Sequence, residues 1–446
     1  MTLTFAKAAA YIRPRAWLAY FAGACMWGIW LLSIALGGTR FEEHQFTAAP
    51  GGYDVQLRGR LAIGNGEWDA VKQVVSIDHL AFYAPAKMIR EGRAAEIYDH
   101  GVLAEYQASL FPPGIFTGKL EALRNPPFFA LLHYPTSSLS YGASCWIWTG
   151  IGFTCLVVGI HFLRPANPWR VVCWSLTFYP TFTVIGYGQT SLLSFAAFCG
   201  TYRLLEKNRP FAAGFVAGFL WFKPPLMLGL FVWWLLDVRR KWPALAGTTL
   251  AGALLLATTY PIVPAAWDQF FAHLMENVRF DSFQWWKSHN ARAFWRLLLT
   301  TDAAPMPTIL WVGSAIFGCV VFAKMWKAQR DNLPVLFGSS LLLMFWASPH
   351  TMVYEWVAAI IPAVLWWKHL PEQRDKLLTF IAVLWVAMFV STDFGQIQEL
   401  VLKNRWHWEN PLILQVSVPI FAWVCWHLIR MFTRPDFVAI DAKPSG

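Results

Sequence analysis

Apolar runs of helix length alternate with short polar loops along most of the chain. Residues 17–36 and 309–323 carry no charge. The first run is long enough to cross a bilayer core at about 1.5 Å of rise per residue. It is also too long for the apolar core of a signal peptide, and Leu36-Gly37-Gly38 is a poor cleavage site, so the pattern predicts a retained first span. Further runs lie at 142–163, 171–185, 191–205, 244–262, 308–323, 334–347, 353–367, 377–391 and 411–429. The runs 211–222 and 226–236 are each too short to span easily and are split by Lys223-Pro224-Pro225. They predict a broken helical hairpin over 211–236 that turns at Lys223, a device tolerated where it lines a cavity or is buried in protein.

Long polar stretches interrupt this pattern at 37–125, 263–305 and 392–410, and a polar tail occupies 435–446. Within the first, Gly51-Gly52 and Gly64-Asn65-Gly66 read as turns or short strands, 76–99 as an amphipathic helix and 100–110 as a second helix broken at Phe111-Pro112-Pro113-Gly114. Lys and Arg cluster before the first run (Lys7, Arg13, Arg15) and in alternate short loops, such as Arg203, Lys207 and Arg209, Arg239-Arg240-Lys241, and Lys324, Lys327 and Arg330. By the positive-inside rule both termini are cytoplasmic and the three long polar stretches are outer loops. The expectation is one all-α polytopic membrane domain with about twelve passes.

Composition supports this reading. Charged residues make up only 14% of the chain and hydrophobic residues 57%, where a soluble domain carries about a quarter charged residues. The net charge of +10 does not signal nucleic acid, because its cations are dispersed among the short loops. All seven cysteines fall in apolar runs without a CxxC spacing, which predicts small buried hydrophobes rather than a disulfide framework.

The same topology brings Asp78, the Gly188-Gln189 turn, Lys223, His350 and the second outer loop (His289, Arg292, Arg296) to one face. Asp78 stands where a helix begins, so it is either an N-cap or a general base toward a hydroxyl. Lys223 is either a snorkelling interfacial lysine or a cation for a phosphate. His350 is an interfacial histidine or a phosphate contact, and Glu355, five residues on, needs a partner such as His350 or Lys223. HExxH, Walker, GxGxxG and Asp-x-Asp patterns are absent. No metal or cofactor is expected, and a phosphorylated lipid is a more natural donor than a nucleotide.

Short motifs recur in a particular order: Asp78-x-x-x-Phe82-Tyr83-x-x-Ala86, then Ile97-Tyr98-Asp99, Asn125-Pro126-Pro127-Phe128-Phe129, Gly188-Gln189-Thr190-Ser191, Ala213-Gly214 leading to Lys223-Pro224, and Ser348-Pro349-His350 with Tyr354-Glu355. In this the chain resembles the polyprenol-phosphate-mannose-dependent α-mannosyltransferases of bacteria, glycosyltransferase family 87, with a GT-C-like fold. It departs from them at His79, where an apolar aromatic is usual, at Glu355, where Asp is common, and over 40–75. The resemblance implies an inverting transfer of a sugar, foremost mannose, from a polyprenyl-phosphate donor to a lipid or glycan acceptor, on the outer face of a bacterial inner membrane. Its partners would be these substrates and membrane lipids. Asp78 would be the base. Lys223, His350, Arg292 and Arg296 would surround the donor phosphate, and His79, Tyr83, Gln189, His289 and Glu355 would support the site. A lipid or sugar transporter is the competing class, since a broken hairpin with a lysine also suits transport.

Overall fold

A computed structural model describes residues 5–37, 40–41, 61–62, 75–111, 120–272, 285–299, 305–406 and 413–434. Most of 42–74, with its glycine pairs, and the tail 435–446 lie outside the described residues. The described chain is almost wholly helical, and Arg40–Phe41 pairs with Leu61–Ala62 as a short antiparallel ladder.

Helices long and apolar enough to cross a membrane are found at Trp17–Ala35, Tyr141–Leu163, Val238–Thr259, Pro305–Ala328 and Pro371–Glu399, five in all among the described residues. Shorter apolar helices lie at Pro210–Phe222, Pro224–Leu236, Leu333–Ala347 and Ser417–Phe432. Of the dozen passes expected, five are thus met by helices of spanning length among the described residues. Trp17–Ala35 and Pro305–Ala328 bury only 11% of their apolar windows, so lipid is the solvent for most of their surface.

Without a hydrophobic drive between helices in lipid, close packing needs small residues. The hairpin supplies them. A Cβ on Gly214 would lie 1.8 Å from Ala244 O, and one on Gly218 2.4 Å from Ala251 Cβ, so Pro210–Gly218 and Val238–Thr259 meet backbone to backbone. Thr248 Oγ1 donates to Gly214 O at 2.8 Å, and Trp221 Nε1 to Thr248 O at 2.9 Å. On the other arm, Gly229 meets Ser340 O, which seats Leu228–Leu236 on Leu333–Ala347.

Between the two arms the helix is interrupted. Pro210–Gly218 tightens into a 3-10 turn, Phe219–Phe222. Lys223 leaves helical geometry (φ −144°, ψ 70°), and Pro224–Met227 opens the second arm. Asn125 Nδ2 donates to Phe222 O at 2.8 Å, Tyr98 Oη donates to Asn125 O at 2.6 Å, and Phe129 stacks on Phe222 at 4.5 Å. Two of the short motifs thus clamp the hairpin tip.

Several elements differ from their expected form. The 76–99 stretch is not a surface amphipath. Its helix, Leu80–Arg90, buries Leu80 through Ala86 and Met88 on every side and stops at Gly92 (φ +79°). The run 171–185 is two helices, Pro168–Thr177 and Tyr179–Tyr187, parted at Phe178. Residues 392–406, expected in a third outer loop, continue the helix Arg374–Trp406, because no proline interrupts them and the single Gly395 is tolerated inside the helix. Cys25 and Cys173 are exposed on apolar helices rather than buried.

Candidate active site

Asp78 lies in a short 3-10 turn, Ile77–His79, that leads into the helix Leu80–Arg90. It is not a cap: no side chain caps either element. Capping falls to Asp99, whose carboxylate accepts from the Gly101 and Val102 amides at 2.9 and 3.1 Å at the start of His100–Ser109. The Asp78 turn is instead clamped from outside. Ser76 is held in the left-handed region (φ 54°). Its Oγ donates to Ile185 O at 3.1 Å, and Tyr141 Oη is 2.8 Å from both Val75 O and Ser76 O.

Gly188 explains how the second turn meets the first. It has φ +73°, and a Cβ there would lie 2.7 Å from Ser76 Cβ and 2.8 Å from His79 Cβ. Only glycine suits both that backbone and that approach. The next residue, Gln189, donates through Nε2 to Asp78 Oδ2 at 2.7 Å. Asp78 Oδ1 accepts from no described residue. Asp78 keeps some access to solvent, yet protein surrounds it closely enough that burial pushes its carboxyl above the usual range. The Lys287 ammonium, the Gln189 hydrogen bond and the Lys223 ammonium oppose that rise, in that order.

Lys223 forms an ion pair with Glu355 Oε1 and lies 5.1 Å from the Tyr354 ring centroid. Glu355, only 2% exposed, accepts the Met352 amide on its other oxygen, closing the start of the turn Val353–Ala359. This turn packs against Tyr179–Tyr187, the helix that ends at Gly188. His350 precedes it. Burial first, then the Lys223, Arg124 and Arg292 charges, hold its imidazole well below the usual range, so it is neutral here. Arg292 donates to Pro349 O at 3.4 Å and rests its guanidinium between the Trp285 and Trp311 rings, 5.2 and 5.3 Å from their centroids.

Of the residues singled out in the sequence, Asp78, Gln189, Lys223, His350 and Arg292 are partly exposed and lie among one another's charges, with Glu355 behind them. His79, Tyr83 and His289 point elsewhere. His79 is 1% exposed, turns Nε2 to Ser144 Oγ at 3.0 Å, and burial drops its pKa to about 3. Tyr83 is buried and donates to Leu139 O at 2.6 Å. His289 is held between Ser417 and Thr392 hydroxyls at 2.6 and 2.9 Å and is likewise pushed down to about 3 by burial. Arg296 sits over Trp285 at 4.5 Å, beside Arg292. His79, Tyr83 and His289 belong to the walls of the site, whereas Arg296 is half-buried like Arg292.

No role for Lys287, Tyr187 or Tyr354 was legible in the sequence. Lys287 Nζ lies 4.4 Å from the Tyr187 ring centroid. Its only signal was a lysine after paired tryptophans, which any interfacial loop can carry. No group of metal-ligating side chains occurs among the described residues.

No curated protein and no solved structure matches the chain. A family profile does, over residues 124–349. This segment begins beside Asn125, contains Gly188-Gln189 and Lys223-Pro224, and ends at Ser348-Pro349. Asp78 and Glu355 lie outside it, joined to it by the Gln189 and Lys223 contacts. The matched profile covers half the chain and is that of glycosyltransferases, so the protein belongs to glycosyltransferase family 87.

Proposed function

We propose that this glycosyltransferase moves a sugar, foremost mannose, from a polyprenyl-phosphate donor to a hydroxyl of a lipid or glycan acceptor at the outer face of a bacterial inner membrane, with inversion at the anomeric carbon. The observation that carries the reading is the Asp78 carboxylate: one oxygen is bound by Gln189, the other is without a described partner, and cations stand near it.

In this reading Asp78 Oδ1 accepts the proton of the acceptor hydroxyl as that oxygen bonds to the anomeric carbon. The bond from that carbon to the phosphate oxygen breaks on the opposite face, and polyprenyl phosphate leaves with the electron pair. A phosphate needs no general acid to depart, so a single carboxylate suffices; a retaining mechanism uses a second one about 5 Å away as nucleophile. Fixed cations stabilise the leaving charge. Arg292 and Lys223 are the candidates, with Arg296 behind Arg292. His350 meets the phosphate as a neutral hydrogen-bond donor.

The donor's tail has a place to lie. An open apolar groove of about 420 Å³ runs along Pro305–Ala328 and is lined by Leu228, Trp311, Ala315, Cys319, Ala323 and Ala347, among others. Trp311 belongs to that lining, and Arg292 stands over its ring. An isoprenoid chain in the groove would put its phosphate at Arg292. An open apolar groove suits a lipid-linked donor, whereas a transporter needs a path open to both faces.

The test is to reconstitute the purified protein in liposomes with labelled polyprenyl-phosphate mannose or labelled nucleotide mannose. Label should pass to a lipid or glycan acceptor from the first donor and not from the second. Transfer from the nucleotide sugar alone would overturn the donor assignment.

A further inference from the structure

Resting on the reading of Asp78 as the base, we propose that Lys287 is a positioning residue of this site: the counter-ion of the Asp78 carboxylate, seated on an aromatic ring rather than in a contact ion pair.

The placement of Lys287 is specific. It ends the short turn Trp285–Lys287, and the residues after it are tied down. Ser288 bridges to Met352, its Oγ donates to Thr351 O at 2.9 Å, and the His289 amide donates to the same carbonyl at 3.1 Å. Before it, Trp286 Nε1 donates to Glu399 at 2.5 Å. A lysine fixed on both sides delivers its ammonium to the Tyr187 ring, 4.4 Å from the centroid. Tyr187 is the last residue of its helix. Gly188 seats the turn on Ser76 and His79, and Gln189 holds Asp78. Ammonium and carboxylate are thus bound to residues two apart in one turn.

The charges also sort into pairs. Lys223 is occupied by Glu355. Lys287 makes no ion pair with a described carboxylate, and its influence on Asp78 exceeds that of Lys223. The other groups facing Asp78 are the phenols of Tyr187 and Tyr354 and the neutral neighbour His79, whose ring is turned to Ser144. Among these Lys287 is the cation left to balance the carboxylate.

Seating the cation on a ring has a chemical consequence. A lysine in contact with Asp78 would occupy the lone pairs that must take the proton. A lysine held by cation–π attraction favours the ionised form while leaving Oδ1 open to the acceptor hydroxyl.

The experiment reads the charge of Asp78 without the transfer reaction. A hydrophobic carbodiimide reacts with a protonated carboxyl in an apolar setting and leaves a stable adduct. Mass spectrometry of the full-length protein in detergent then follows labelling of Asp78 against pH for the wild type, Lys287→Met, Lys287→Arg and Lys223→Met. Lys287→Met should shift the labelling midpoint upward by about one pH unit or more, as expected for loss of a nearby opposite charge. Lys287→Arg should restore it, and Lys223→Met should shift it less. If Lys287→Met labels as wild type does, or if Lys287→Arg shifts as far as Met, the counter-ion assignment is wrong. A melting curve for each variant separates charge loss from misfolding, and Lys287→Gln provides a second neutral variant should Met fail to fold. A failure of the base assignment is distinguishable, because it shows as an Asp78→Asn protein that still transfers sugar while the Lys287 shift stands.

Discussion

At the scale of single residues, the account turns on two carboxylates with opposite arrangements. Glu355 is enclosed and spends both oxygens, on Lys223 and on the Met352 amide. Asp78 keeps one oxygen open. Removing a partner should therefore hurt stability at the first and function at the second. Lys223→Met leaves the Glu355 charge enclosed and unpaired, which costs about 3–5 kcal/mol. Thermal melts should show that loss, and much of it should return in the Lys223→Met, Glu355→Gln double variant. At Asp78 the sign is reversed. Burial raises its folded-state pKa, so the folded protein binds that proton more tightly than the unfolded chain does. The stability this contributes is fully present below the unfolded value of about 3.9 and is lost as pH rises through the folded pKa. Asp78→Asn, neutral throughout, should thus melt no lower than wild type at neutral pH, and any gain should shrink as the pH is lowered through the folded pKa.

Residue types alone revealed part of this. Lys223 and Glu355 stood out because charge among apolar runs is costly, and Asp78 because a carboxylate opened a helix in a polar loop. The histidines misled for a related reason. A polar loop that folds against a membrane domain must satisfy its own buried groups, and His79 and His289 do that with Ser144, Thr392 and Ser417 hydroxyls. Sequence cannot tell which polar residues a loop spends on itself. Nor did it show that Asp78 caps no helix, a role Asp99 takes at His100–Ser109.

At the scale of elements, the site is made where turns touch. The Gly188-Gln189 turn was legible as a short uncharged connection, but its contact with the Asp78 turn was not, because it joins residues more than a hundred positions apart. Gly188→Ala tests that contact. The substitution forces a Cβ to within 2.7 Å of Ser76 Cβ and strains a backbone at φ +73°. It should cost about 1–3 kcal/mol of stability and lower the transfer rate more than tenfold by moving Gln189 off Asp78. A melt and a rate measurement on the same preparation check both. The break at Lys223 was legible from two prolines. The clamp on it from Asn125 and Phe129 ties Asn-Pro-Pro-Phe-Phe to Lys-Pro in space.

At the scale of the whole molecule, hydropathy revealed the class and most helix positions, because lipid leaves the backbone few alternatives to helix. It erred where a helix ran on past the apolar run, as in Arg374–Trp406, and where one run held two helices. The lipid-facing groove could not be read from sequence, since its lining is as apolar as any span. Filling it with Ala315→Phe should raise the KM for a full-length polyprenyl-phosphate donor several-fold. The same change should leave kcat/KM for a short-chain analogue near the wild-type value; an equal effect on both donors would place the tail elsewhere.

The central claim is that Asp78 takes the acceptor's proton. Its most direct measurement is the rate of labelled mannose transfer from polyprenyl-phosphate mannose by reconstituted wild-type and Asp78→Asn proteins of matched yield and melting temperature. The account predicts a fall of about a hundredfold or more for Asp78→Asn, the loss expected of a general base. Transfer at the wild-type rate by a folded Asp78→Asn protein would contradict it.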